Sequence, residues 1–107
     1  MSNRWVVLPP IYQKSIWDLK SLVIELFKEE NVILILFGSR ARGDYNRVSD
    51  IDIGILPDKN LDRKKLILLK EKIDNLNFPY TVDVVDLSKV SEAFRERVLR
   101  DGIIWKN

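Results

Sequence analysis

The sequence predicts a small α/β (α+β) fold, a mixed β-sheet flanked by helices, and three observations predict it. Three short apolar runs, 32–37, 50–56 and 80–87, carry the β-branched content or the two-residue alternation of strands. Around them, apolar residues recur at three- and four-residue spacing, as on one face of a helix. At 107 residues the chain can bury a real core but has no room for a second one, and no repeat or low-complexity linker divides it. Residues 1–107 are therefore expected to form a single domain.

Each element follows from local chemistry. Pro9-Pro10 ends an extended N-terminal segment. From Tyr12 to Glu30, Ile16, Leu19, Val23, Leu26 and Phe27 mark one face of an amphipathic helix, which Asn31 breaks. Val32 to Phe37 reads as a buried strand, and Ser39 to Arg42 as a short helical turn closed by Gly43. Asp44 to Ser49 is polar and loop-like. Asp50 to Leu56 is the second strand, with Ile51, Ile53 and Ile55 on one face and Asp50, Asp52, Gly54 and Leu56 on the other, and Pro57 stops it. Leu66, Leu69, Ile73 and Leu76 mark a helix from about Asp62 to Leu76. Tyr80 to Leu87 alternates as a third strand. Ser88 is a plausible N-cap for a helix bearing Val90, Ala93, Phe94 and Val98. Asp101-Gly102 ends that helix, and Ile103-Ile104-Trp105 can add an edge strand.

Composition narrows the chemistry. The chain has neither cysteine nor histidine, which excludes disulfides, thiolate nucleophiles, Ser-His-Asp catalysis and His- or Cys-held metals. Acid–base work and metal binding fall to carboxylates, with Lys or Tyr behind them. A formal charge of +2, from 18 basic and 16 acidic residues, is too balanced for a nucleic-acid binder. No apolar run approaches the roughly 20 residues of a membrane span. The expectation is a cytoplasmic protein with no membrane and no direct nucleic-acid partner.

The informative stretch is Gly38-Ser39-Arg40-Ala41-Arg42-Gly43-Asp44 followed by Ser49-Asp50-Ile51-Asp52-Ile53. Asp50 and Asp52 are two apart on a strand, so their side chains share a face. Carboxylates that close repel unless a cation lies between them, and carboxylates with water and phosphate oxygens suit Mg²⁺. The Gly38-Ser39 turn offers backbone N–H groups and a hydroxyl to a phosphate. Asp83 stands among Val82, Val84 and Val85, where an acid marks either the solvent face of an edge strand or a functional site. Beside Asp50 and Asp52, the site reading is preferred. Asp86, on the other face, reads as a turn or cap residue. Glycines 38, 43 and 54 also read as ordinary turn or close-packing residues. The cluster Lys59, Arg63, Lys64, Lys65, Lys70 and Lys72 reads as a solvated helix face, and Trp5, Trp17 and Trp105 as core or interface residues.

Gly38-Ser39, ten residues, Asp50-Ile51-Asp52 and then Asp83 resemble the DNA polymerase β-type nucleotidyltransferase superfamily. More closely, the pattern resembles the minimal nucleotidyltransferase (MNT) proteins, many of them antitoxins encoded beside HEPN-domain toxins. The resemblance runs from the first strand to the C-terminus. It implies that Asp50, Asp52 and Asp83 bind two Mg²⁺ ions and are catalytic, and that Gly38 and Ser39 hold the β- and γ-phosphates of ATP. Arg40 and Arg42 then either reach phosphate or brace the loop through Asp44 or Asp50. The implied activity is transfer of AMP from ATP to a hydroxyl of a partner protein, a HEPN toxin. The alternative is a non-catalytic antitoxin that occludes its toxin. Larger members of the superfamily append acceptor-binding domains. This chain shows none, so its acceptor is expected from a partner or from a second copy of itself in a homo-oligomer.

Overall fold

The computed structural model describes residues 10–38, 50–76 and 80–107. Within them the order is α1 (Pro10–Leu26), β1 (Val32–Phe37), β2 (Ile51–Pro57), α2 (Arg63–Asn75), β3 (Val82–Asp86), α3 (Glu92–Asp101) and β4 (Ile103–Lys106). The expected turn at Ser39 to Arg42, the loop 44–49 and Trp5 lie outside the described residues.

The four strands form one mixed sheet in the order β3-β2-β1-β4. β1 pairs antiparallel with both β2 and β4, whereas β2 and β3 are parallel. That parallel pair needs a crossover, and α2 supplies it. Asp62 caps α2 by accepting from the Lys64 backbone N–H at 2.9 Å.

The sheet is covered on both faces, which is why β1 is apolar almost throughout. On one face Leu34, Leu36, Ile51, Ile53 and Ile55 pack beneath Leu19, Val23 and Phe27 of the α1 region and Leu69 and Ile73 of α2. Each fully buried aliphatic side chain there contributes about 1.5–3 kcal/mol by leaving water. On the other face Ile35, Phe37 and Leu87 pack with Val98 of α3, flanked by Val85 and Phe94. The three isoleucines of β2 therefore face α1 and α2, while Asp52 and Gly54 face the α3 side.

Several local expectations shift. The first helix starts at Pro10, whose fixed φ suits a first turn, and stops at Leu26 instead of Glu30. Glu30 N–H bonds only three residues back, to the Phe27 carbonyl, and Val32 N–H then bonds to Glu30, reversing the chain into β1. The third helix is capped by Ser91, which accepts from the Phe94 N–H, and not by Ser88. Ser88 instead donates its N–H (2.9 Å) and hydroxyl (2.6 Å) to Asp86 Oδ1, so Asp86 is the turn residue its position suggested. Trp17 is 66% exposed and lies outside the core, while Trp105 packs against it. Of the expected solvated basic cluster, Lys65 is drawn inward: it pairs with Glu30 at 2.8 Å and lies 5.8 Å from the Phe27 ring centroid. No helix among the described residues is long and apolar enough to cross a membrane.

Candidate active site

Strand register brings the acids together. Phe37 of β1 faces Asp52 of β2, and Asp52 faces Asp83 of β3, so one row across the sheet reads Phe37, Asp52, Asp83. Asp50 immediately precedes β2 and shares the Asp52 face by alternation. In the next row, Ile35, Gly54 and Val85 follow one another. A Cβ at Gly54 would come within 2.7 Å of Leu87 Cδ1 and 3.0 Å of Ile35 Cγ2. Gly54 is thus a close-packing glycine, keeping α3-side core residues tight beneath the acidic row.

Gly38 ties the turn to the acids. Its φ of +77° is a left-handed conformation that glycine adopts without strain. A Cβ there would also overlap Oδ2 of Asp52 and stand 3.3 Å from its Cγ. The left-handed turn favours glycine, a side chain here would have to push the Asp52 carboxylate aside, and the chain thus leaves β1 directly against that carboxylate. Ser39, Arg40 and Arg42 lie outside the described residues.

The electrostatics centre on Asp52. Its carboxyl is held above the ordinary aspartate range, first by burial, then by the charge of Asp83, then by that of Asp50. Asp50 and Asp83 are exposed, where water screens their mutual repulsion. Among the described residues no three acidic side chains close into a ready metal cage. Asp52 and Asp83 are brought side by side by register, and Asp50 reaches the pair through its charge. The donor set is carboxylate oxygen only, with no imidazole or thiolate in the whole chain, and such a set fits Mg²⁺ and not zinc.

A roomier groove among the described residues lies elsewhere. A groove of about 770 Å³ opens at the opposite end of the sheet, between Val32–Ile33, Leu56–Lys59, Arg95 and Lys106. Two of its cations are already committed: Arg95 Nε donates to the Leu87 carbonyl at 2.8 Å, and Lys106 Nζ to that of Glu30 at 2.9 Å. Size alone does not make a site, and the acid row is the better candidate because its charge is left unbalanced among the described residues. Beside Gly38 is a smaller pocket of about 260 Å³ walled by Phe37, Phe94, Arg97, Val98 and Asp101. Sequence reasoning passed over Arg97. Its one signal is the three-residue step from Phe94, which places both on one side of α3.

A glycine turn thus stands against a strand aspartate, with a second aspartate in register on the parallel neighbour. The chain belongs to the family described as Polymerase beta, Nucleotidyltransferase, whose model matches residues 22–106. It is 38% identical over 68 residues to "Probable protein adenylyltransferase MntA" of Haemophilus influenzae, a match covering 64% of this chain and 60% of that protein. The chain thus aligns with less than two thirds of that relative's length. Among solved structures it resembles a toxin–antitoxin determined with AMP-PNP (TM-score 0.64, 28% identity, 82% of this chain and 73% of that one). It also resembles a protein proposed to be a minimal nucleotidyltransferase (TM-score 0.68, 25% identity, 84% and 92%).

Proposed function

We propose that this protein is a Mg²⁺-dependent nucleotidyltransferase that moves AMP from ATP to a hydroxyl of a partner protein, as the antitoxin of a HEPN RNase toxin. The observation that carries the reading is the row Asp52–Asp83 with Gly38 closed over Asp52. The relative named as an adenylyltransferase and the toxin–antitoxin structure with AMP-PNP support it.

Asp50, Asp52 and Asp83 would hold the metal. Bound there, Mg²⁺ would neutralise charge at the α-phosphate and orient the acceptor hydroxyl. Gly38 and Ser39 would offer backbone N–H groups to the outer phosphates, as the family resemblance implies, and Arg40 and Arg42 would be further donors. The acceptor oxygen bonds to the α-phosphorus while the bond from that phosphorus to the bridging oxygen breaks. Pyrophosphate leaves with the electron pair. Asp83, the more exposed partner of the row, takes the hydroxyl proton. Positioning supplies much of the rate in such a transfer, so a docked protein that presents its hydroxyl in line is the expected acceptor. AMP added near the toxin's own site would bring charge and bulk against RNA. ATP as substrate places this work in the cytoplasm.

One observation favours a second reading, occlusion of the toxin without chemistry: the three carboxylates do not close into a cage among the described residues. Labelled ATP separates the two. With Mg²⁺ and the toxin encoded next to this gene, label at the α-phosphorus should move to the toxin and label at the γ-phosphorus should not. No transfer from either position would leave occlusion as the function.

A further inference from the structure

Helix α3 carries three arginines, and two are spent. Arg95 donates to the Leu87 carbonyl at 2.8 Å and to that of Val90 at 3.2 Å. Arg100 pairs with Asp101, at 3.1 Å from Nε and 3.4 Å from Nη2. Arg97 makes no hydrogen bond or ion pair among the described residues. Its guanidinium lies 5.7 Å from the centroid of the Phe94 ring. Phe94 in turn meets Phe37 edge-on, with centroids 5.9 Å apart and planes at 85°. Phe37 is the last residue of β1 and the covalent neighbour of Gly38. A cation whose donors find no partner among the described residues is therefore held, through two rings, beside the glycine turn.

Strand order gives that placement a direction. Across this end of the sheet the sequence of groups is Asp83 on β3, Asp52 on β2, Gly38 after β1, and then Arg97 on α3, which packs over β1 through Val98 and Ile35. With the reacting phosphorus at the acids and the next phosphates at Gly38, a triphosphate continued along this line ends at Arg97. The pocket it faces, about 260 Å³, falls below the ~300–1,000 Å³ typical of whole-ligand sites and suits phosphate better than a nucleoside. Asp101 also lines it, but its charge is offset by Arg100.

We propose that Arg97 grips the terminal phosphate of ATP and, once the bond breaks, the departing pyrophosphate. This rests on the nucleotidyl-transfer reading above. A planar fork of charged donors matches phosphate oxygens, so loss of the contact should show as a loss of phosphate affinity.

The test is calorimetric titration of wild type, Arg97→Ala and Arg100→Ala with ATP, AMP and inorganic tripolyphosphate, all with Mg²⁺. Arg97→Ala should weaken ATP and tripolyphosphate about ten- to a hundredfold and leave AMP unchanged, while Arg100→Ala alters none of them. Unchanged ATP affinity in Arg97→Ala would overturn the assignment, as would equal losses for ATP and AMP, and in either case the transfer reading would stand. Failure of the wild-type protein to bind ATP would overturn the transfer reading itself, and this assignment with it.

Discussion

Asp52 is half-buried between Asp83 and Asp50, and burial disfavours its charged form before either neighbour is counted. Because its pKa is raised on folding, the native state holds the proton more tightly than the unfolded chain. The favourable contribution is full below the ordinary aspartate value and is lost as pH rises through the raised one. Asp52→Asn should therefore abolish transfer yet stabilise the metal-free protein at neutral pH, and flatten its pH dependence across the acid range. Melting temperature against pH in the presence of a chelator checks this. A neutral-pH melting temperature below wild type would show that the Asp52 charge is balanced by a partner. The residue identities of this row were legible in the sequence, because two-residue alternation fixes which side chains share a strand face. The Asp52–Asp83 register was not, since non-local strand pairing sets it. Arg97 was invisible for the same reason: its importance comes from Phe94 meeting Phe37, and nothing local announces that contact.

At the scale of elements, helix caps show where local reading succeeds and fails. Two serines, Ser88 and Ser91, both precede the helical pattern, and the sequence reading names Ser88 as the cap where the structure uses Ser91. Asp86 decides between them by capturing the Ser88 N–H and hydroxyl, which holds 86–88 as a turn and moves the helix start to Ser91. Ser91→Ala should then cost about 1 kcal/mol, the usual loss on removing an N-cap. Ser88→Ala loses only an exposed hydroxyl contact while its backbone bond to Asp86 remains, and should cost less than about 0.5 kcal/mol. Urea unfolding of the two variants checks this, and equal losses would contradict the assigned cap. Strands were the better-read elements. Val32 to Phe37 and the Ile51, Ile53, Ile55 face follow from apolar pattern alone, because burial on a sheet face leaves no other arrangement for them. Of the two readings of Trp17, core or interface, the core one is removed because the α1 stripe through Leu19, Val23 and Phe27 already fills the space above the sheet.

At the scale of the molecule, the sheet divides its labour by face and by end. One face, under α1 and α2, is closed and apolar. Among the described residues the other is closed where α3 crosses it, and the acids stand at one end of that face, beside the glycine turn. A fold with this layout can act on its partner either by chemistry or by contact, and the same acids separate the two. The decisive measurement is the RNase activity of the HEPN toxin proposed as the partner, after incubation with wild-type protein or with the Asp50→Asn/Asp52→Asn variant, each with and without Mg²⁺–ATP. Only wild type with Mg²⁺–ATP is expected to silence the toxin, and the silencing should persist after the two proteins are separated. Equal inhibition by the double variant, or by wild type without ATP, would contradict it.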